Sequence, residues 1–357
     1  MFTTRLYIED LETCLSSVVN LDALRGKTVL ITGATGMIGS FITDALMHAN
    51  RTLSLDCMVI AMGRNEEKAR ARFAGHKGNE KWIFVQHDVN RPLGSDLPVA
   101  DFIIHAASTT HPVAYATEPI GTITTNIFGT WNLLNYLCEH APSARFLLAS
   151  SVEVYGQNRG DAEYFDETYC GYIDCNTLRA GYPESKRLSE SLCRAFVQEK
   201  GVDYVSARLP RTYGPTMLMS DTKALSQFIK KGLAGEDIIL KSKGEQFFSY
   251  AYVADSASAL LSVMLAGKSG AAYNIADEKS DITLRDLAQL VAYAGGTQLR
   301  FELPDAVEAA GYSTATKAVM NPALLHALGW TPRYTIKQGI ARTLQVLRES
   351  ADVMGNC

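Results

Sequence analysis

Residues Lys27 to Ser40 read KTVLITGATGMIGS, and the fold of the chain turns on them. Thr28, Val29, Leu30 and Ile31 make an apolar, β-branched run of the kind that forms a strand buried in a parallel sheet. That run feeds without a gap into Thr32-Gly33-Ala34-Thr35-Gly36-Met37-Ile38-Gly39, which gives a strand, a glycine turn and a helix in succession. Gly33 permits a tight reversal, Gly36 lets the main chain approach a pyrophosphate seated on the helix N-terminus, and Gly39 lets the helix pack close to the strand. Three glycines alone also suit a plain turn with one helix-packing glycine. The strand-to-helix setting is what favours a dinucleotide.

Upstream, MFTTRLYIEDLETCLSSVV carries acids within its apolar pattern, which suits neither a signal peptide nor a membrane span. Residues 1–25 are expected to be a helical extension capping the domain edge. Downstream, Met37 to Asn50 has helical spacing, and Cys57 to Met62 reads as a second buried strand ending at Gly63-Arg64-Asn65. An acid at that strand end would take the ribose hydroxyls of NAD, whereas a nearby arginine suits the extra phosphate of NADP. Gly63 stands where the acid would be and Arg64 follows, so the expectation is NADP over NAD, although Arg64 also suits a solvated helix start.

Strands at Trp82 to Gln86 and Asp101 to His105 lead to His87-Asp88-Val89 and Ala106-Ala107-Ser108. Strands alternating with helices argue for a doubly wound parallel sheet of α/β class. Thr117 to His140 (TEPIGTITTNIFGTWNLLNYLCEH) reads as one helix with Ile120, Ile123, Ile127, Trp131, Leu134 and Leu137 at core spacing, and with Asn126 inside that pattern needing a partner. A fifth strand, Arg145 to Ser150, delivers Ser150-Ser151-Val152-Glu153 at its carboxyl end, where open α/β sheets keep their chemistry.

Tyr182-Pro183-Glu184-Ser185-Lys186 opens the next helix, with Leu188, Leu192, Ala195 and Phe196 as its expected buried stripe. Tyr182 and Lys186 project from one side, four residues apart. A tyrosine is too weak an acid to serve as a base near neutrality, but an ammonium and an oxidised nicotinamide nearby would favour its phenolate. Of the 16 tyrosines only Tyr182 has a lysine four residues later.

The 357 residues, 47% hydrophobic and 20% charged, can bury a large core. A net charge of -4 without a basic run gives no electrostatic reason to expect nucleic acid. The 7 cysteines are scattered with no metal-type spacing, so reduced thiols in a cytoplasmic protein and no metal are expected.

Glycine turn, Ala-Ala loop, serine-bearing strand end and Tyr-x-x-x-Lys, in that order, resemble an extended short-chain dehydrogenase/reductase of the NAD-dependent epimerase/dehydratase family, over about residues 26 to 345. LLASSVEVYG resembles the catalytic strand of nucleotide-sugar dehydratases and UDP-glucuronate decarboxylases, and Ser108, Pro112, Tyr115 and Pro119 resemble the decarboxylases' substrate loop. Arg208-Leu-Pro-Arg-Thr-Tyr-Gly-Pro215 and Tyr252-Val253-Ala254-Asp255 are also family-like.

The resemblance implies a Rossmann-type domain over 26–207 that carries the reacting groups, and a smaller α+β lobe over 208–357 that mainly binds substrate. It implies that Tyr182 takes a proton from a sugar hydroxyl as hydride passes to the nicotinamide. Ser151 would hydrogen-bond the same oxygen, Lys186 would hold the nicotinamide ribose, and Glu153 would handle a proton or help a carboxylate leave. Ser151 also suits a strand-end cap, and Glu153 a buried acid held by backbone amides. Implied cofactor contacts are Gly33, Thr35, Gly36, Met37, Ile38, Gly39, Arg64, Asp88, Val89, Ala106, Ala107, Ser108, Asn126, Tyr182, Lys186 and Pro210. Implied substrate contacts are His111, Tyr115, Arg211, Tyr213, Phe248 and Tyr250. A homodimer through the Thr117 and Tyr182 helices is the family expectation.

Two departures bear on the reaction. Val152 stands where dehydratases carry Asp and decarboxylases Ser or Thr, which removes the group that would protonate a departing hydroxyl. Phe248 occupies the place of the family's arginine four residues before Tyr252, while Arg211 replaces the usual asparagine, so Arg211 is expected to supply the missing cation at the pyrophosphate. The expected activity is oxidation and re-reduction of a nucleotide-activated sugar, with epimerisation ahead of decarboxylation. NADPH-dependent reduction of a keto sugar is the in-class rival, and a catalytically silent NADP-sensing regulator is the alternative of another class. The insertion 156–180 reads equally as a lid or a passive excursion.

Overall fold

The computed structural model describes residues 4–110, 112–302 and 316–355. Six strands, β1 (Thr28–Thr32), β2 (Met58–Gly63), β3 (Trp82–Gln86), β4 (Phe102–His105), β5 (Arg145–Ser151) and β6 (Asp203–Leu209), pair in parallel. Between and around them run α1 (Arg5–Ser16), α2 (Met37–Thr52), α3 (Glu66–Arg72), α4 (Pro112–Thr117), α5 (Pro119–His140) and α6 (Gly181–Lys200). The chain then leaves the sheet through β7 (Arg211–Tyr213), α7 (Ala224–Ala234), β8 (Ile238–Leu240), β9 (Phe247–Tyr252) and α8 (Val253–Ala266), and returns to it as β10 (Ala272–Asn274). The result is a seven-stranded sheet in the order β3-β2-β1-β4-β5-β6-β10.

Alternate residues of the buried strands supply opposite cores. Val29 and Ile31 face one and Leu30 the other, and Leu147 and Ala149 oppose Phe146 and Leu148. A strand covered by helices on both faces therefore needs the unbroken apolar run that β1 shows in sequence. Strand order reverses between β1 and β4, which opens a crevice at their carboxyl ends, between the glycine turn and the Ala106-Ala107 loop.

The smaller lobe centres on β9, which pairs with β7, with β11 (Asp281–Thr283) and with β13 (Lys317–Ala318); β12 (Leu299–Phe301) pairs with β8. One strand from within the 208–357 span expected to form that lobe lies elsewhere. Tyr273 belongs to β10 of the large sheet, where it covers an edge of β6 that would otherwise stay unpaired. The segment from Val253 to Asn274 thus crosses back over the 207/208 boundary.

Two helices bury only part of the stripe expected of them: Leu134 and Leu137 of α5 and Phe196 of α6 are inside, but other marked positions are not. The segment read as one helix from Thr117 breaks at Glu118, before Pro119. On α5 Ile120 is 76% and Trp131 49% exposed, while Thr122, Asn126, Gly129, Thr130 and Leu133 are buried. On α6 Leu188 is 49% exposed and Ala195 is exposed, while Ser185, Ser189, Cys193 and Phe196 are inside. The two helices meet along small and polar residues, which let their backbones approach and exchange hydrogen bonds. Ser189 Oγ donates to the carbonyls of Asn126 (3.0 Å) and Ser185 (2.8 Å).

The N-terminal extension is tied to both lobes. Tyr7 Oη donates to Asp44 of α2 at 2.7 Å. Asp10 accepts from Tyr252 Oη at 2.5 Å and from Arg342 Nε, on the C-terminal helix Ile336–Gly355, at 2.6 Å. Asp44 also accepts from Arg72 (2.6 Å) and His76 (2.9 Å). Burial alone would raise the Asp44 carboxyl, but Arg72, His76 and Tyr7 together hold it below the ordinary range. Among the described residues no helix is long and apolar enough to cross a membrane.

Candidate active site

The glycine turn does in space what its sequence requires. Gly33 has φ +66°, and a Cβ there would meet the main chain of Ala106 and Ala107 at 2.8 Å. A Cβ at Gly39 would meet the Gly33 carbonyl at 2.6 Å. Gly36 caps α2 without a side chain, which leaves the first-turn amides at Met37 and Ile38 available to an anion. The donor set and the absence of a Cβ at these contacts fit a dinucleotide's phosphates. Thr32 Oγ1 joins the two loops, accepting from Ala107 N at 3.2 Å and lying 2.9 Å from His105 Nδ1. Burial and the charge of Lys186 push His105 down to about 3, so this imidazole is neutral.

The other expected cofactor contacts divide. Thr35 faces Gly63 at the end of β2, where the exposed Arg64 follows. Asp88 accepts from Asn90 N and Nδ2, both at 3.0 Å, as a turn residue does. Val89 is buried against Gly129 of α5. Asn126 has both ends of its amide engaged. Its Oδ1 accepts from Ser108 Oγ and its Nδ2 donates to Ser185 Oγ, each at 2.8 Å. Ser185 Oγ in turn donates to the Tyr182 carbonyl at 2.8 Å, so Asn126 braces the start of α6. Pro210 is buried at the junction of β6 and β7.

Ser151, Glu153 and Tyr182 come together at the ends of β5 and α6. Ser151 accepts from Glu153 N at 3.2 Å and hydrogen-bonds Tyr182. Burial pushes the Tyr182 phenol up to about 12, against the pull of Ser151 and, more weakly, of Arg179. Lys186 is buried and pulled down to about 8, with Glu190 opposing the shift. Its ammonium donates to the Ala149 carbonyl at 2.8 Å rather than to the phenol.

Glu190, one turn beyond Lys186, was not singled out by sequence. It accepts from Ser150 (2.5 Å), Ser206 (3.1 Å) and Arg208 (2.7 Å), a network that fixes β5, β6 and α6 to one another. Burial would raise its carboxyl, yet Arg208 and the serines hold it low. The i to i+4 spacing from Lys186 was the available signal.

Arg179, at the end of the insertion, had no such signal. Its Nη2 donates to both oxygens of Glu153, at 2.6 and 2.7 Å, and its guanidinium lies 4.8 Å over the Tyr115 ring. Tyr115 stacks on Tyr182 with centroids 5.0 Å apart. Arg211 lies 3.5 Å over the Phe248 ring, so the cation on β7 covers the aromatic on β9. Its Nη1 is buried with no hydrogen-bond partner, and burial lowers its pKa against the fields of Tyr250 and Glu153. Tyr250 is Arg211's register partner.

Tyr213 is a correction. Its hydroxyl donates to the Ile336 carbonyl at 3.3 Å and its ring packs on Gly339, so it anchors the C-terminal helix instead of being free for a substrate. His111, expected at the substrate, lies outside the described residues. Asp255 of the Tyr-Val-x-Asp motif accepts from the backbone of Arg333 and Tyr334, both at 3.0 Å. Among the described residues no group of three or more His, Cys, Asp or Glu is placed to hold a metal.

The chain is similar to known proteins in sequence and in fold. A family model described as "NAD dependent epimerase/dehydratase family" matches residues 29–276. UDP-glucuronic acid decarboxylase 1 of Xenopus tropicalis is 32% identical over 92% of this chain and 74% of its own length. UDP-glucuronic acid decarboxylase 6 of Arabidopsis thaliana is 30% identical over 87% of this chain and 86% of its own. Among solved structures, a UDP-glucose 4-epimerase from Thermotoga maritima, with UDP-glucose, superposes with TM-score 0.76 at 21% identity and covers 91% of this chain and 99% of that one. This chain therefore belongs to the NAD-dependent epimerase/dehydratase family of nucleotide-sugar enzymes.

Proposed function

We propose that this chain oxidises one hydroxyl of a nucleotide-activated uronic acid to a ketone, releases carbon dioxide, and reduces the ketone again. The observation that carries this reading is Arg211, a buried guanidinium with an unpartnered Nη1 that feels the field of Glu153. Such a cation calls for an anion from the ligand, a sugar carboxylate or the diphosphate. Relatives named as UDP-glucuronic acid decarboxylases at 30–32% identity move the balance from epimerisation, which sequence alone put first, to decarboxylation.

A nicotinamide dinucleotide, when bound, would supply a reversible hydride acceptor. Gly33, Gly36, Gly39 and the first-turn amides of α2 would hold its phosphates, and Ala106-Ala107 would line its path. Tyr182 removes the hydroxyl proton, and Ser151 donates to the same oxygen and keeps it in line. A ketone two carbons from a carboxylate makes a β-keto acid, which loses carbon dioxide and leaves an enolate to be reprotonated. Lys186 stays charged below about pH 8 and keeps the site positive as the phenolate forms.

Epimerisation is the second reading, favoured by Val152, which offers no proton donor beside Glu153. At the ribose end NADP is preferred over NAD, because Gly63 brings no carboxylate and Arg64 is exposed. Ile120, Phe128 and Trp131 of α5 and Leu188 of α6 leave an exposed apolar face that suits a second copy, giving a homodimer. All six described cysteines are free, in keeping with a cytoplasmic enzyme.

The deciding experiment incubates the protein with UDP-glucuronic acid, UDP-glucose and their dTDP counterparts and follows product mass. Loss of carbon dioxide from the uronic acid is expected. An isomer of unchanged mass would replace the reading with epimerisation, and stoichiometric NADPH consumption would replace it with reduction.

A further inference from the structure

We infer that Arg179 is a positioning residue for the reaction, a clamp that closes the 156–180 excursion beside the Ser151–Tyr182 pair by holding Glu153 on one side and Tyr115 on the other. The inference rests on the oxidation step proposed above, but its geometry stands apart from the identity of the sugar.

Glu153 is two residues beyond Ser151, and Arg179 is three residues before Tyr182. Their ion pair therefore spans the mouth of a long excursion at the point where the two reacting hydroxyls meet. Within the excursion Gln157 bridges to Tyr172, Phe165 pairs with Met320, and Arg187 of α6 donates to the carbonyls of Val154 (2.6 Å) and Gly171 (2.7 Å). These bonds fix the loop's body. Gly171 N also donates to the Tyr155 carbonyl at 2.9 Å, and Arg179 ties the last residues of the return to Glu153, two residues beyond Ser151.

The clamp is also a stack. Arg179 covers one face of Tyr115, and the Tyr115 ring lies on Tyr182 at an interplanar angle of 24°. Glu153, Ser151, Tyr182, Tyr115 and Arg179 thus form a closed ring of contacts. A guanidinium suits this place because it binds a carboxylate and lies flat on an aromatic ring at once, which an ammonium does less well. In this arrangement the Glu153 carboxylate is held by its own chain. Its part is then to set where Ser151 sits, and Arg179 works through it.

The test is a double-mutant cycle with two readouts. Arg179→Ala is expected to lower kcat about 10–100-fold with little change in KM, because a reacting pair shifted by a fraction of an ångström loses rate rather than affinity. Arg179→Lys is expected to recover part of that loss. In a Glu153→Gln background, Arg179→Ala is expected to add less than about threefold, since one contact has already gone. Equal effects in both backgrounds, or an effect on KM alone, would overturn the clamp in favour of direct substrate contact.

The second readout needs no substrate. With 13Cζ-labelled tyrosine, and signals assigned through Tyr115→Phe and Tyr182→Phe, Arg179→Ala is expected to move both resonances. Arg159→Ala, which removes a guanidinium 5.7 Å over the Tyr172 ring, is expected to leave them in place. Unmoved resonances would refute the stack. If no nucleotide sugar is turned over, the proposed reaction fails while this second readout still decides the role of Arg179.

Discussion

Around Asp44 and around Arg211 the chain buries charge in opposite ways. Asp44 sits beneath α1 and receives Tyr7, Arg72 and His76, so its carboxylate exchanges water for three donors of the same protein. Arg211 lies on β7, stacked on Phe248, with Nη1 cut off from solvent and from any acceptor. A buried ion costs several kcal/mol unless it is paired, so a satisfied cluster fixes a fold whereas an unsatisfied one marks where a ligand completes the structure. The Glu153–Arg179 pair stands between the two, being internal to the protein yet placed against the reacting hydroxyls.

Four measurements break or sharpen that contrast. Tyr182→Phe removes the base without disturbing the Ser185 and Asn126 brace, so turnover is expected to fall by about 10²–10⁴-fold, with cofactor affinity from calorimetry unchanged. Asp44→Asn is expected to cost about 3–5 kcal/mol in urea denaturation at pH 7, since it removes the buried carboxylate that Arg72, His76 and Tyr7 share. The sign with pH follows from a folded carboxyl held low. Its stabilising part is complete above the ordinary carboxylate pKa of about 4 and drains away as pH falls through the lower folded value, so the variant should show a flatter acid limb.

Arg211→Ala should behave in reverse. It is expected to weaken nucleotide-sugar binding by about 10–100-fold, equivalent to a charge-assisted hydrogen bond, while leaving the melting temperature equal or higher. A destabilised variant that binds normally would place Arg211 with Asp44 as a structural charge. The smallest effect belongs to the exposed Arg64. Its replacement by Ala is expected to reduce NADP affinity about fivefold and leave NAD affinity unchanged, read by titration of intrinsic fluorescence.

What sequence made legible follows the range of the interactions. The turn at Gly33 to Gly39 is written in three residues because a missing Cβ is a local requirement, and Tyr182 with Lys186 is readable because one helical turn places both on one side. The buried face of α5 was misread because periodicity counts apolar residues, whereas the contact with α6 is built from Thr122, Asn126, Gly129 and Ser189. Of the apolar positions it did mark, Leu134 and Leu137 are buried, whereas Ile120 and Trp131 face outward. Arg179 was invisible because its meaning depends on Glu153, 26 residues earlier across an irregular excursion. Tyr213 was assigned to the cleft from its motif, although the partner that claims it, Ile336, comes from the far end of the chain.

The double tether of α1 has a consequence for biosynthesis. Asp10 waits for Tyr252 and Arg342, which leave the ribosome long after the N-terminal helix does. Tyr7 can settle on Asp44 once α2 has followed, but the Asp10 side of α1 stays open until Tyr252 and Arg342 arrive. Until then Asp10 is an acid without its two donors, on a helix face that only later-made segments cover.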